Sequence, residues 1–169
     1  GASLILGGAE GTLWDLTGMY ASLSRVLTHY RLYNGRYNPE DIHPLTALPR
    51  TGGSGKGGSR TAPTGAIQSI ADPRLTDKPL LSAASIWFTY EAMSALGRPE
   101  EEADWQQFES MKQIAWKTGT SYGGRDAWAI GTTPRYVVGV WVGNASGEGR
   151  PGLTGVGNAA PVLFDLFSR

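Results

Sequence analysis

The run Lys117-Thr118-Gly119-Thr120-Ser121 decides how the rest of the chain is read. Ile114-Ala115-Trp116 precedes it and Tyr122-Gly123-Gly124 follows. An apolar approach that passes into small polar residues and a glycine-rich turn reads as a β-strand entering a hairpin. Strand alternation puts Lys117 and Gly119 on one face and Thr118 and Thr120 on the other. Such an edge suits a carboxylate. The Lys117 ammonium supplies fixed charge, the threonine hydroxyls can donate, and a backbone N–H nearby can face a developing oxyanion. Gly119 carries no side chain, so a ligand or a second element can lie against the strand there. An isolated Lys-Thr-Gly has a plainer explanation, a charge that keeps an edge strand from pairing with its neighbours. The surrounding segments must therefore carry part of the argument.

Two further strands follow at once, residues 125–131 and 135–143. With the first at 113–121, links of three or four residues containing Gly123-Gly124 and Pro134 predict an antiparallel meander. The third strand, Arg135 to Gly143, is apolar on both faces, which places it between two layers. A closing helix over 158–167 has Pro161 in its first turn. Its Val162, Leu163, Phe164, Leu166 and Phe167 predict burial against the sheet. Toward the N-terminus, Leu13, Leu16, Tyr20, Leu23 and Leu27 recur at helical spacing and predict a core-facing helix over 13–27. Thr12 and Asp15 form a capping-box pattern at its start. A second helix, 82–96, begins at Ser82 and carries Ala83, Ile86, Tyr90 and Met93 on one face, with Gly97 and Pro99 ending it. Six prolines between 28 and 79 predict irregular structure there. The tract 52–59 matches G-x-G-x-x-G at Gly53, Gly55 and Gly58, but no apolar strand precedes it and Pro63 follows. It reads as a surface loop. The expected fold is α/β of the α+β type, an antiparallel sheet flanked by helices.

Composition narrows the function classes. At 169 residues the chain is one domain or a large part of one. Six Trp and seven Tyr supply core material. Fifteen basic and fifteen acidic residues cancel, which disfavours a nucleic-acid partner. No apolar run reaches the ~18 residues of a membrane span. The absence of Cys excludes disulfides and thiolate metal sites, and with two His no zinc site and no cofactor are expected. The first residue is Gly rather than Met, so an excised piece of a longer protein is expected.

Taken together, Lys117-Thr118-Gly119-Thr120, Asp126-Ala127-Trp128 and Val137-Val138-Gly139-Val140-Trp141-Val142-Gly143 resemble the transpeptidase domain of penicillin-binding proteins. Leu6-Gly7-Gly8-Ala9-Glu10, Leu13-Trp14-Asp15-Leu16-Thr17, Arg98-Pro99-Glu100-Glu101 and Ala115 to Tyr122 resemble class A enzymes of the 1C type. The resemblance spans nearly the whole chain and is weakest over 45–80. It implies the serine DD-peptidase/β-lactamase-like transpeptidase fold, of which residues 1–169 would be the C-terminal half. It also implies a reaction. A serine activated by the lysine of S-x-x-K attacks a D-Ala–D-Ala stem peptide of peptidoglycan and D-Ala leaves. An amine of a neighbouring stem then resolves the ester into a cross-link. β-Lactams acylate the same serine. In that scheme Lys117 and Thr120 are the expected catalytic residues, Lys117 through its field and Thr120 through an oxyanion-hole N–H. Thr118, Gly119 and Ser121 are expected to bind substrate. No metal or cofactor is implied.

The chain departs from the family at the nucleophile. No Ser has a Lys three positions on, and neither S-x-N nor Y-x-N occurs. Those motifs, an upstream glycosyltransferase domain and a membrane anchor would lie before Gly1, placing the parent protein in the periplasm or on the outer face of the cytoplasmic membrane. Two alternatives stay open at this point. One is a non-catalytic β-lactam sensor or scaffold module, and the other is a serine β-lactamase.

Overall fold

The computed structural model describes residues 10–47, 72–95 and 114–169. The expectations for the loop at 52–59 and for the helix stop at Gly97 and Pro99 lie outside them. Among the described residues three α-helices and a three-stranded antiparallel sheet make up an α+β unit. Helices α1 (Leu13–Leu32) and α2 (Ala83–Ser94) precede β1 (Ala115–Thr120), β2 (Asp126–Thr132) and β3 (Val137–Gly143). A π-helical turn, Gly155–Ala159, then runs into α3 (Ala160–Ser168).

The strand order is β1-β2-β3, as the short links require. In register, Lys117 lies opposite Ile130, Thr118 opposite Ala129 and Thr120 opposite Ala127. Ala127 in turn lies opposite Val142, and Ala129 opposite Val140. Cross-strand partners share a face. One face of the sheet therefore carries Trp116, Thr118, Thr120, Ala127, Ala129, Val138, Val140 and Val142. The core forms on this face, where Leu163 and Phe164 of α3 meet Trp116, Ala127, Ala129 and Val140. Ala127 and Ala129 are fully buried, and their small side chains let α3 come down on β2. Trp116 and Phe164 meet edge to face with centroids 5.1 Å apart.

The opposite face is covered by α1 and α2. Leu13 and Thr17 of α1 sit directly over Gly139, where β3 carries no side chain. A polar cluster ties the layer together. Ser24 Oγ shares hydrogen bonds with Thr132 Oγ1 (2.9 Å) and Tyr90 Oη (3.0 Å), and the Tyr90 hydroxyl donates to the Tyr20 carbonyl at 3.0 Å. Burial pushes the Tyr90 phenol above its ordinary pKa. The sheet is thus sandwiched, as the apolar third strand requires, although Trp141 of β3 stays exposed.

Several boundaries move. β3 begins at Val137 rather than 135, because Thr133 to Tyr136 close a turn. The Thr133 N–H donates to the Tyr136 carbonyl, and Thr133 Oγ1 accepts from the Tyr136 N–H. α1 runs to Leu32, five residues beyond the last leucine of its stripe, and stops where Asn34 and Gly35 take positive φ of 52° and 84°. Its fully buried positions are Gly18, Ser22 and Val26, and the leucine stripe is half-buried. The reason is a strap on that side of the helix. Ser22 Oγ donates to the His43 carbonyl, Arg25 Nε to the Asp41 carbonyl, and His29 Nδ1 pairs with the buried Asp41 carboxylate at 2.7 Å. After α1, the described residues up to 79 hold one short 3-10 turn, Pro39–Asp41, and a bridge between Tyr37 and Thr76. The closing α-helix begins at Ala160 rather than 158, because the π-helical turn, capped by Thr154 accepting from the Gly157 N–H, occupies the residues before it. Among the described residues only one face of α3 is covered. Leu163 and Phe164 are buried, whereas Val162 and Leu166 are exposed.

Candidate functional site

β1 is an edge strand among the described residues, and its parity sorts its groups. The Ser121 N–H donates to the Asp126 carbonyl at 2.9 Å, which makes Ser121 and Asp126 a hydrogen-bonded pair. Antiparallel alternation then turns the N–H and C=O of Lys117 and Gly119 toward β2. Those of Thr118 and Thr120 turn the other way, toward the open edge. The Thr120 N–H, the expected oxyanion donor, is thereby presented at the edge. Lys117 is exposed, and its Nζ donates to the outward-facing Thr118 carbonyl. Gly119 and Thr120 are exposed and Thr118 is half-buried. The structure therefore brings Lys117, Thr118, Gly119 and Thr120 onto one accessible strand edge.

Ser121 has a different setting. Its N–H, carbonyl and Oγ all take part in closing the β1–β2 hairpin. The Oγ accepts from the Asp126 N–H at 2.8 Å, and the carbonyl accepts from the Gly124 N–H at 3.1 Å. The Ser121 hydroxyl proton is left for a ligand. Beside it, Trp141 Nε1 donates to Asp126 Oδ1 at 2.9 Å, which pins the hairpin base to β3. Tyr122, at the tip, is almost fully exposed. The loop after β3 folds back on this hairpin, with the Arg150 N–H donating to the Gly124 carbonyl at 2.9 Å.

The sequence reading missed what stands behind the site. The Gly155 N–H donates to Thr120 Oγ1 at 2.9 Å, across 35 positions of sequence. Thr154, Gly155 and Asn158 carried the only local signal, a capping residue at the start of a helical turn. That pattern says where the turn begins and nothing about what it faces.

No protein-family model matches the chain, and no solved structure matches it. Among characterised proteins, penicillin-binding protein 1C of Escherichia coli (strain K12) is 34% identical over 161 residues. The match covers 95% of this chain and 16% of that protein. Over nearly all of its length, then, the chain is related to one segment of penicillin-binding protein 1C.

Proposed function

We propose that the chain forms the carboxylate-binding wall of a peptidoglycan D,D-transpeptidase, an acyl-transfer enzyme of the cell envelope. The observation that carries this reading is the setting of K-T-G-T. It lies on an edge strand with Lys117 exposed and the Thr118 and Thr120 backbone turned outward, in a chain related to penicillin-binding protein 1C. In this reading the serine nucleophile and its S-x-x-K lysine belong to a preceding half of the same domain, with a glycosyltransferase domain further upstream. The protein then works in the periplasm or on the outer face of the cytoplasmic membrane. Among the described residues no helix is long and apolar enough to cross a membrane.

The roles follow from the chemistry of each group. Thr118 and Thr120 donate hydroxyl protons to the terminal carboxylate of the stem peptide or of a β-lactam, and Ser121 lies next in line. Lys117 holds positive potential at the same place. Gly119 lets the substrate backbone lie close along the strand. The Thr120 N–H points at the carbonyl oxygen as it becomes an oxyanion, which lowers the barrier both for acylation of the serine and for attack of the incoming amine on the resulting ester, which releases the serine.

The test uses the full-length gene product and a fluorescent penicillin. Wild type should label covalently, and Lys117→Ala should label about 10²-fold more slowly with an unchanged thermal midpoint. A Lys117→Ala rate within about threefold of wild type, under ~1 kcal/mol, would show an ordinary edge lysine. A wild-type protein that never labels would replace the enzyme reading with a scaffold module.

A further inference from the structure

The π-helical turn touches the site strand at its first residue. The Gly155 N–H donates to Thr120 Oγ1 at 2.9 Å, and Gly155 is buried. A Cβ placed on Gly155 would stand 2.5 Å from the Gly119 carbonyl oxygen, 2.7 Å from that of Trp128 and 2.9 Å from Thr118 Cβ. Real Cβ atoms do not come so close, and Gly119 and Trp128 are cross-strand partners whose carbonyls sit in the sheet ladder. The turn is braced internally and backed by the core. The Asn158 side chain accepts from the Thr154 N–H at 2.9 Å, and the Asn158 N–H donates to the Thr154 carbonyl at 3.0 Å. Behind them Ala159 and Ala160 are fully buried in the core.

We propose that Gly155 is a positioning residue that acts on the ligand through Thr120; this rests on reading β1 as the carboxylate-binding wall. A threonine hydroxyl has one proton to give and lone pairs to accept. With the Gly155 N–H occupying Oγ1 as an acceptor, the Thr120 proton is left to donate elsewhere, and the strand edge is where a ligand carboxylate lies. The hydrogen bond also fixes the side chain before the ligand arrives, so binding does not have to order it. Two demands meet at one residue. The N–H must reach Oγ1, and nothing may project from the Cα toward the ladder. Only glycine meets both. The ligand class is a carboxylate-terminated peptide or its β-lactam mimic.

The experiment uses the full-length protein and two probes, benzylpenicillin and its methyl ester, in which the carboxylate is masked. The ratio of their acylation rates reads carboxylate recognition alone. Thr120→Val should lower that ratio about tenfold or more, the size of one charge-assisted hydrogen bond, while Thr120→Ser stays within about threefold of wild type. Gly155→Ala should lower the ratio about tenfold, and adding it to Thr120→Val should change the ratio by less than about threefold. Equal slowing of acid and ester in Gly155→Ala, or an additive double variant, would make Gly155 a packing residue and overturn the proposal. Should Gly155→Ala fail to fold, the Gly155 amide resonance decides. It should move upfield in Thr120→Val and hold its place in Thr120→Ser, and an amide indifferent to both would overturn the proposal. Wild type that is not acylated at all overturns both the function reading and this one. An acylated wild type whose ratio ignores Gly155→Ala overturns this one alone.

Discussion

Parity decides what a residue of β1 can do. Trp116 points into the α3 core and is buried, while Lys117, one position on, points to the other face and is exposed. Thr118 and Thr120 share the Trp116 face but lie nearer the hairpin, where the π-helical turn stands against them and leaves Thr118 half-buried and Thr120 exposed. The same dependence on a single atom holds in the polar cluster under β2. The Tyr90 hydroxyl is the one group joining α2 to both Ser24 and the Tyr20 carbonyl. Tyr90→Phe removes one hydrogen bond from each in a half-buried place and should cost about 1–2 kcal/mol in urea unfolding. A change below ~0.3 kcal/mol would mean that water takes the hydroxyl's place.

At the scale of elements, α3 gives the sharpest contrast. Its composition is apolar almost throughout, yet only the Leu163 and Phe164 side meets the sheet. Phe164 is 1% exposed and packs on Trp116, whereas Val162 is 45% exposed. Phe164→Ala should therefore cost about 3–5 kcal/mol, and Val162→Ala less than about 1 kcal/mol, measured by denaturant midpoint at constant m-value. Similar costs at the two positions would mean that both faces of α3 are covered in the intact protein. The segment before α2 responds to pH instead. Asp72 Oδ1 accepts from both the backbone N–H and Nε of Arg74, and this guanidinium holds the Asp72 carboxyl at about 2, below its ordinary 3.8. A depressed folded-state value means the contribution is fully present above the ordinary value and is lost as pH falls through about 2. Amide exchange at Leu75 and Thr76, intrinsic rates corrected, should accelerate between pH 4 and pH 2 in wild type. In Asp72→Asn it should be fast across that range, and a wild-type profile identical to that of the variant would rule the pair out as a fastener.

For the molecule as a whole, the consequence lies at the sheet's two ends. Among the described residues both β1 and β3 have an unpaired side. On β3 alternation turns the N–H and C=O of Val137, Gly139, Trp141 and Gly143 outward, along a valine-rich strand. Residues 1–169 produced alone should self-associate, and sedimentation velocity reads this directly. A strictly monomeric species with a cooperative melt would show that the edge is covered from within the chain. The same preparation should form no covalent adduct with penicillin. Thr118, Thr120 and Ser121 have no S-x-x-K lysine in this chain to take a proton, and an unactivated hydroxyl is a weak nucleophile. An intact-mass shift of one penicillin on any of them would overturn that expectation.

The sequence by itself determined the elements, their order and the candidate strand. Thr12 and Ser82 cap the helices they were expected to cap, and the links at 121–125 and 133–136 are too short for anything but an antiparallel meander. These are local effects, set by backbone geometry within a few residues. Lys117 to Thr120 were legible for the same reason, since strand parity alone sorts their groups. Only the tertiary structure decided which face of α1 is buried. Leucines on one side and Gly18, Ser22 and Val26 on the other are both acceptable to an isolated helix, and the strap at 41–45 settled the matter by covering the second side. Nor could periodicity reveal that Gly155 stands behind Thr120. That contact joins the two ends of the meander, and it depends on α3 folding back over β2 to bring a bare glycine against the ladder.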